Sequence, residues 1–495
     1  MNSTPHPAPL LLAFRPEGKT CLTARVTADA LGFRPEQVWN PSPSTEHRTA
    51  PWPLPKTLRI GIFGNADTNA RFSPPPAAIV ALGGGRRTAL AVGAEPGWHL
   101  WNEVEFTADS GELRVRIDLE GHSRPEAVAP HLRLALTPGE PDEPLLDLLA
   151  RSLRPLYPAA YRRPRRPAPA WWKHPSYCGW GDQVACSLWL EGVGPEPRAI
   201  AYNTQGLYER WIRRLDRAGL PFGTITIDCG WAPAGTLRPN PERWPDLKGF
   251  VRRQHEAGRK VLLWLAAWLW EGLPDSWCVF ADGVKLVADP THPGYRRFLR
   301  ERVRELISPD GLDADGFKID QLAYSPSERK PRGGPQFGRT RYYPPPHTPI
   351  RLAGPGWGCE LLYRLQRDIY EAAKSVKPDC LITSSTVHPY FHDTLDMVRL
   401  HDMGAVAPDI FAAMGARAGL ARAALPHKLV DADDWIHTDY RLWRRYTAGS
   451  GVLGVPSIFY AERFVADWQA EPATRPVPLS DLRAIAAAWR RPERL

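Results

Sequence analysis

The sequence lacks the features of a membrane-spanning, disulfide-rich or dinucleotide-binding protein. Its 495 residues contain no apolar run of about 18 residues, the length that a membrane-spanning helix needs. Its seven cysteines are scattered without a CxxC pair, so neither a disulfide framework nor a zinc knuckle is predicted. No GxGxxG sequence follows a predicted strand, which argues against a dinucleotide fold. We therefore expect no membrane, no cofactor and no metal.

Signals for export and for nucleic-acid binding are also missing. The N-terminal stretch MNSTPHPAPLLLAF has no basic region and only a short apolar patch, so a cytoplasmic location is expected. The formal net charge is +9, but the arginines alternate with acids on predicted helices instead of forming one stripe. This pattern predicts no nucleic-acid partner. The sequence leaves oligomer formation open.

The N-terminal third predicts an antiparallel β-sandwich. In the stretch ELRVRIDLE, at 112–120, apolar Leu113, Val115 and Ile117 alternate with charged residues, which is the period of a half-buried strand. Similar runs follow one another between residues 20 and 137. The stretch YRRPRRPAPAWW then interrupts the pattern with proline and arginine. We assign 1–160 to a β-sandwich domain, 161–172 to a linker and 173–495 to a second domain.

The second domain alternates short apolar strands with amphipathic helices. Eight strands separated by helices over about 300 residues predict an α/β fold of the (β/α)8 TIM barrel type rather than an open sheet. The candidate strands are PSYCGW (175–180), GTITIDCGW (223–231), KVLLWLAAW (260–268), DGFKID (315–320), CLITSS (380–385), TLDMVRLHD (394–402), HKLVDADDW (427–435) and GVLGVPSIFY (451–460).

Polar and aromatic side chains gather at the predicted strand ends. In a barrel of this type the functional groups lie at the C-terminal ends of the strands. The 20 tryptophans fit this picture, because indole rings often line sugar-binding clefts, although an aromatic core would need them as well. The candidate site residues are Trp180, Asp228, Cys229, Trp231, Trp264, Lys318, Asp320, Ser384, Arg399 and Asp402.

Two of these residues have the chemistry of a catalytic carboxylate pair. Asp320 and Asp402 end the fourth and sixth candidate strands and could face each other across a glycosidic bond, which needs one carboxylate nucleophile or base and one acid. Lys318, two residues before Asp320, would keep that carboxylate ionised. Arg399 opposes protonation of Asp402 unless the arginine holds substrate or another acid.

Metal-dependent hydrolysis is the competing use of a barrel rim. It would call for histidines at early strand ends, and none of the first five candidate strands ends in histidine. The acidic run DADD at 431–434 could bind a divalent cation, but such carboxylates also bind sugar hydroxyls. The pattern favours the carboxylate pair.

The stretch LVADPTHPGYRRFLRERVRELISPDGLDADGFKIDQL resembles glycoside hydrolase family 36, the α-galactosidases and raffinose synthases. In that family a helix leads into a strand that ends K-W-D. ITIDCGW is similar to the family's D-D-G-W, GRKVLLWLAAW to its G-L-K-x-G-L-W, and DMVRLHDM to its W-T-S-D. The motifs occur in the same order and cover roughly residues 170–460.

The resemblance implies a role for several residues. Asp320 matches the nucleophile and Asp402 the acid/base, while Asp228 matches an aspartate that binds sugar hydroxyls. Lys318 matches the lysine beside the nucleophile, and the resemblance makes Trp231 and Trp264 walls of the pocket. The chain departs from the family at Cys229, where a thiol replaces the second aspartate of D-D-G-W. Its sequence also differs from the family's directly after the nucleophile and in the fifth strand.

The implied activity is that of a retaining α-glycosidase, similar to an α-galactosidase, with a carbohydrate as its partner. A transglycosylase that uses the same intermediate is one alternative, and a carbohydrate-binding pseudoenzyme is another. After Asp320 comes a long segment rich in proline, glycine and arginine, at 323–358. Loops of this length are uncommon unless functional, so it is interpreted as a lid or subsite wall, with a surface insertion as the alternative.

Overall fold

The structure is a computed structural model. It describes residues 8–40, 50–61, 73–109, 111–165, 167–191, 196–266, 268–331, 344–402, 409–466 and 473–490. Within these ranges no helix is both long and apolar enough to cross a bilayer.

The N-terminal region forms two antiparallel sheets. One has the strand order β1-β11-β8-β7-β4-β5 and the other the order β2-β3-β10-β9-β6. The strands are β1 (Leu10–Ala13), β2 (Arg15–Glu17), β3 (Cys21–Val26), β4 (Gln37–Trp39), β5 (Trp52–Pro53), β6 (Thr57–Gly61), β7 (Ala78–Gly83), β8 (Arg86–Ala94), β9 (Glu103–Asp109), β10 (Glu112–Asp118) and β11 (Leu132–Gly139).

Alternation along the strands explains why the two sheets pack together. Leu113, Val115 and Ile117 of β10 are fully buried, whereas the residues between them are partly exposed. These side chains share one apolar core with Leu134 and Leu136 of β11 in the other sheet. The predicted antiparallel β-sandwich is confirmed.

The second region is built around an eight-stranded parallel sheet with the order β20-β19-β18-β17-β14-β13-β12-β21. Backbone hydrogen bonds that Val455 makes with Val430 and Ala432 join the two outermost strands, so the sheet curls into a barrel. The strands are β12 (Ser176–Cys178), β13 (Thr224–Ile227), β14 (Lys260–Ala266), β17 (Gly316–Asp320), β18 (Leu381–Ser384), β19 (Met397–Arg399), β20 (Leu429–Asp431) and β21 (Ser457–Ile458).

Each of these eight strands lies inside one of the predicted strand segments, and the (β/α)8 fold is confirmed. Two hairpins that the sequence analysis did not predict are added to the barrel. They consist of β15 (Cys278–Ala281) with β16 (Val284–Ala288), and β22 (Arg463–Ala466) with β23 (Ala473–Pro476).

Of the described α-helices, three lie in the N-terminal region and the others lie in the second region, where they cover the outside of the barrel. In α8, Tyr295, Leu299 and Val303 are buried, and this helix packs on α9. The helices are α1 (Ala28–Leu31), α2 (Pro125–Val128), α3 (Leu145–Leu153), α4 (Trp180–Glu191), α5 (Glu196–Ala199), α6 (Gln205–Ala218), α7 (Leu247–Glu256), α8 (Pro293–Ile307), α9 (Cys359–Val376), α10 (Ile410–Ala424), α11 (Tyr440–Gly449) and α12 (Leu479–Trp489).

The stretch predicted as a linker ends against the N-terminal mouth of the barrel. Trp171 and Trp172 pack on a small apolar cluster that includes Leu262, Leu381 and Met397 from three barrel strands. The Trp172 indole N–H also donates to the carbonyl of Asp379 over 2.9 Å. The domain limits 1–160, 161–172 and 173–495 stay predictions.

Candidate functional site

Asp320 is the last residue of β17, so its carboxylate lies at the C-terminal rim of the barrel. Trp264 on the neighbouring strand β14 donates its indole N–H to Oδ2 over 3.1 Å, and the backbone N–H of Gln321 donates to Oδ1 over 2.9 Å. Gln321 has a φ of 58°, so the chain turns out of the strand directly after the carboxylate. The two donors fix the orientation of the carboxylate.

Positive groups surround the Asp320 carboxylate. Arg399 Nη1 and His401 Nε2 each lie 3.7 Å from its Oδ1. Burial raises the pKa of Asp320, but the charges of His401, Arg399 and Lys318 and the Trp264 hydrogen bond outweigh that effect and lower the pKa well below its ordinary value. The carboxylate is therefore charged at neutral pH.

Lys318 lies one layer deeper in the barrel and pairs with Asp228 rather than with Asp320. Its Nζ lies 2.8 Å from Asp228 Oδ2, and the Cys178 thiol donates to the same oxygen over 3.0 Å. Burial lowers the pKa of Lys318, but the Asp228 carboxylate outweighs burial and raises it. Lys318 thus affects Asp320 through its charge alone, and the predicted cation and sugar-binding aspartate form a buried ion pair with each other.

Arg399 at the end of β19 is held by a second carboxylate. Its Nε and Nη2 donate to Asp433 Oδ2 over 2.9 and 2.7 Å, which leaves Nη1 directed toward Asp320. The other oxygen of Asp433 accepts the backbone N–H of His401 over 3.0 Å. Arg399 therefore binds a carboxylate other than Asp402. The sequence analysis required either this or a bound substrate if Asp402 is to be protonated.

Asp402 and Asp320 both lie close to the same nitrogen of His401. His401 Nε2 is 2.8 Å from Asp402 Oδ2 and 3.7 Å from Asp320 Oδ1. Because both distances start at the same atom, the two carboxylate oxygens lie no more than 6.5 Å apart. His401 and Asp402 both have positive φ angles, 60° and 38°, so the chain bends sharply at this rim.

An apolar wall borders the carboxylates on the β14 side. Cys229, Trp264, Ala266 and Leu269 belong to one buried cluster, with Trp180 packed on it half-buried. Burial raises the pKa of the Cys229 thiol well above its ordinary value, and the Asp228 and Asp320 charges raise it further. The thiol is neutral.

Two further tryptophans support this wall from behind and from the side. The Trp231 indole N–H donates to the Trp264 carbonyl over 2.8 Å, and Trp231 is almost fully buried. The Trp180 ring packs edge-on against Trp435, with ring centroids 6.1 Å apart. Trp231 therefore holds Trp264 in place. Trp180 is more accessible to solvent than Trp231.

Ser384 is the one predicted site residue whose described contacts do not reach this cluster. Its hydroxyl pairs with Thr386 over 2.9 Å and lies 3.4 Å from the Gln366 amide of α9, on the outer side of the strand. Strand β18 presents Leu381 and Thr383 to the barrel interior instead. Side chains alternate along a strand, so Ser384 points away from the barrel interior.

The sequence analysis missed two residues that organise the site. His401 precedes Asp402 in the motif RLHD, and Asp433 stands inside the acidic run DADD. Both runs were noted at strand ends, but the pairing of Arg399 with Asp433 joins two strands and leaves no pattern in the sequence. Only the fold brings these residues together.

The described parts of the segment 323–358 strap the barrel to the β-sandwich. Glu120 accepts hydrogen bonds from the Ser327 hydroxyl and from the backbone N–H groups of Glu328 and Arg329. Trp357 stacks on His122 with ring centroids 3.3 Å apart. Residues 332–343 of the segment lie outside the described residues, and the role predicted for the segment as a lid or subsite wall stays a prediction.

A metal site does not emerge from the described part of the chain. No group of three or more His, Cys, Asp or Glu side chains within it is arranged to hold an ion. The DADD carboxylates have other partners: Asp431 accepts from the Ser457 hydroxyl, and Asp433 binds Arg399.

The fold is similar to that of solved carbohydrate-degrading enzymes. The cycloalternan-degrading enzyme from Trueperella pyogenes matches with a TM-score of 0.57 and 14% identity, over 95% of this chain and 66% of that one. The same enzyme in complex with a covalent intermediate matches with a TM-score of 0.53 and 13% identity, over 96% and 66%. The present chain thus spans just under two thirds of that enzyme's length.

A second neighbour has the full length of this chain. The α-galactosidase TtGalA from Thermus thermophilus, in complex with stachyose, matches with a TM-score of 0.56 and 15% identity, over 98% of this chain and 100% of that one. No protein-family model matches the chain, and no curated protein matches it. At these identities the likeness establishes the shared fold: a β-sandwich and a (β/α)8 barrel of the kind found in glycoside hydrolases.

Proposed function

We propose that the protein is a retaining α-glycosidase that cleaves an α-linked sugar, with Asp320 as the nucleophile and Asp402 as the acid/base. The observation that carries the proposal is the pair of carboxylates at one barrel rim. Their oxygens nearest His401 Nε2 lie no more than 6.5 Å apart, and the environment of Asp320 keeps that carboxylate ionised.

The environment of Asp320 suits a nucleophile. Attack on an anomeric carbon requires a charged carboxylate in a fixed orientation. Trp264 and the backbone of Gln321 fix the orientation, and the charges of Arg399 and His401 hold the group ionised. Only about 15% of the side chain is exposed, so little water competes for the carboxylate.

The separation of the carboxylates favours retention. Retaining glycosidases place the two carboxyl groups about 5–5.5 Å apart, whereas inverting enzymes leave about 6.5–9.5 Å for a water molecule. The distance between Asp320 Oδ1 and Asp402 Oδ2 is at most 6.5 Å, which leaves little room for such a water.

The reaction then runs in two steps. Asp320 forms a bond to the anomeric carbon as the glycosidic bond breaks, and Asp402 gives its proton to the departing oxygen. In the second step Asp402 takes a proton from water, the water oxygen binds the anomeric carbon, and Asp320 leaves.

The structural neighbours support α-glycosides as the substrate class. One neighbour is an α-galactosidase with stachyose, and the other degrades cycloalternan and has been solved with isomaltose. Cys229 stands where the resemblance to family 36 expects an aspartate, so the galactose contact of that family is altered here. We therefore propose an α-linked hexoside and test galactosides and glucosides side by side.

The test uses a panel of 4-nitrophenyl α-glycosides followed by trapping with the 2-deoxy-2-fluoro or 5-fluoro analogue of the best sugar. Release of the α-anomer first, seen by proton NMR, and a covalent adduct on the peptide that contains Asp320, seen by mass spectrometry, are the expected results. Release of the β-anomer, or absence of any adduct in an enzyme that turns over, overturns the mechanism. An inactive wild-type protein that still binds sugars identifies the pseudoenzyme instead.

A matched pair of variants provides the control. Asp320→Asn removes the nucleophile with little change in shape, and activity on every substrate should fall by at least about 10⁴-fold. Asp282→Asn changes an exposed aspartate in the β15–β16 turn, where φ is 48° and asparagine is well tolerated, and should leave activity unchanged. Products from added acceptor sugars separate transglycosylation from hydrolysis.

A further inference from the structure

The backbone of His401 is anchored by two neighbouring side chains. Its N–H donates to Asp433 Oδ1 over 3.0 Å, and the buried guanidinium of Arg417 on α10 donates to the carbonyls of Leu400 and His401. The φ of 60° puts the residue in the left-handed region, where residues other than glycine are uncommon. In this anchored conformation the imidazole is close to both carboxylates.

The Nε2 atom of the imidazole faces both proposed catalytic groups. It lies 2.8 Å from Asp402 Oδ2, within ion-pair distance, and 3.7 Å from Asp320 Oδ1. The residue is 7% exposed, so a proton shared between His401 and Asp402 is largely shielded from bulk water. Histidine is the side chain that most readily gains and loses a proton near neutral pH.

We propose that His401 and Asp402 hold one proton between them, and that His401 is a positioning residue that supplies this proton to the acid/base. This inference rests on the proposed function. An isolated aspartic acid has a pKa near 4 and would have little proton to give at neutral pH. A histidine within ion-pair distance can keep a proton available to a carboxylate that titrates as part of the pair.

The proton is conserved through the cycle. In the first step the Nε2–H bond of the imidazolium breaks as an O–H bond forms on Asp402, which then gives that proton to the departing glycosidic oxygen as Asp320 bonds to the anomeric carbon. In the second step Asp402 takes a proton from the attacking water while the water oxygen displaces Asp320. The proton returns to His401, and both carboxylates and the imidazolium are restored.

Several charged groups face this pair from the elements packed around it, and the inference includes them. Arg399 and Arg417 are the cations, and Asp320 and Asp433 the carboxylates, that face His401. His437 is fully buried near Asp402, and burial lowers its pKa to about 4, so it is neutral at neutral pH. Lys318 lies one layer deeper, and Asp431 pairs in register with Arg399 on the neighbouring strand. Two cations and two carboxylates thus surround the contact of 2.8 Å between His401 and Asp402.

The test measures pH–rate profiles of His401→Gln, whose side chain can still donate a hydrogen bond but cannot carry an extra proton. On an alkyl α-glycoside, kcat/KM should fall by about 10²-fold or more, and its basic limb should move at least about one pH unit toward acid. On a 2,4-dinitrophenyl glycoside, whose leaving group needs no proton, the release of phenol should change less than about tenfold. His427→Gln, at an exposed histidine, should leave both profiles unchanged.

Two results for His401→Gln overturn the inference. One is an unchanged basic limb of the pH–rate profile. The other is an equal loss of kcat/KM on both substrates, which a merely structural role would produce. His401→Asn serves as a second variant because asparagine tolerates the left-handed backbone. The ¹⁵N shift of His401 in the wild-type enzyme needs no variant: it should titrate with the basic limb of kcat/KM. If the wild-type enzyme is inactive, the proposed function fails. The ¹⁵N titration can still show whether His401 and Asp402 share a proton, so the two failures can be told apart.

Discussion

At the scale of single residues, the barrel rim gives chemically identical carboxyl groups opposite properties. Cations around Asp320 outweigh its burial and lower its pKa. Asp431 is half-buried at the end of β20 beside Asp433, and its desolvation together with that negative neighbour raises its pKa to about 7. The sequence alone predicted an ionised Asp320 but attributed it to Lys318, because spacing along one strand shows neighbours in the chain and not those on other strands.

The role of Asp402 can be separated from that of Asp320 by leaving-group chemistry. In Asp402→Ala, substrates with poor leaving groups should lose at least about 10²-fold in kcat, because no proton donor remains. A dinitrophenyl glycoside should still glycosylate Asp320 and give a burst of phenol. Turnover should then stall, since no base activates water, and azide should accelerate it. Equal loss on all substrates would exclude Asp402 as the acid/base and direct attention to Asp431, Asp433 and Asp434.

Cys229 offers a test of sugar preference. Cys229→Asp adds a strong hydrogen-bonding group to the apolar wall beside Asp228, where the resemblance to family 36 has an aspartate. The ratio of kcat/KM for α-galactoside over α-glucoside should rise about tenfold, in keeping with about 1–3 kcal/mol for one added polar contact. Cys229→Ala adds no acceptor and is the matched control. A ratio that stays the same in both variants would mean that the bound sugar does not reach this wall.

At the scale of elements, all eight barrel strands were predictable because each is a short apolar run between turn signals. The face that each strand presents was less predictable. Ser384 was expected at the pocket and lies against α9 instead, since a strand of only four residues gives too little alternation to set its phase. The β15–β16 hairpin was missed for a related reason: its strands have four and five residues and lie in a stretch without regular alternation.

Several described contacts between the segment 323–358 and the β-sandwich meet at one half-buried carboxylate. Glu120 accepts hydrogen bonds from the Asn102 amide, the Ser327 hydroxyl and two backbone N–H groups. Glu120→Ala leaves these donors without their acceptor, and hydrogen bonds to charged groups contribute about 1.5–3 kcal/mol each. Trypsin should therefore cut after Arg329 at least about tenfold faster in native conditions, as measured by mass spectrometry over time.

A matched variant shows whether the effect belongs to the strap. Glu126 lies exposed on α2 in the same domain, and Glu126→Ala should be cut at the wild-type rate. If Glu120→Ala is also cut at the wild-type rate, the strap is held by its other contacts, such as the stacking of Trp357 on His122.

At the scale of the whole molecule, the β-sandwich and the barrel share a buried aromatic contact. His99 follows β8 of the sandwich and His388 follows β18 of the barrel, and their rings lie 5.0 Å apart. The hydroxyl of Tyr390 accepts the backbone N–H of Gly97 over 2.7 Å and donates to Glu360 over 2.6 Å. No sequence pattern predicted this contact, because it joins residues nearly 300 positions apart in two different folds.

The contact makes stability depend on pH in a defined direction. Burial lowers the pKa of His388 to about 3 and lowers that of His99 well below its ordinary value. As pH falls below about 6.5, the unfolded chain binds protons that the folded chain excludes, so each such histidine lowers the free energy of unfolding by about 1.4 kcal/mol per pH unit. For His388 this loss extends down to about pH 3.

His388→Asn isolates this term. The His388 Nδ1 atom accepts the backbone N–H of Tyr390 over 3.1 Å, and an asparagine oxygen can take over that hydrogen bond without titrating. The variant should be less stable than the wild type at pH 7, because ring packing against His99 and Tyr157 is lost. That difference should shrink by about 1.4 kcal/mol for each pH unit between 6.5 and 4.5, as urea unfolding followed by tryptophan fluorescence would measure.

Other groups and a control complete the test. Burial raises the pKa values of Asp182 and Asp431 to about 7, so these residues shift stability with pH in the opposite direction, but they do so equally in both proteins. The exposed His427→Asn should show no pH-dependent difference, and a constant gap for His388→Asn would mean that this imidazole takes up its proton without unfolding.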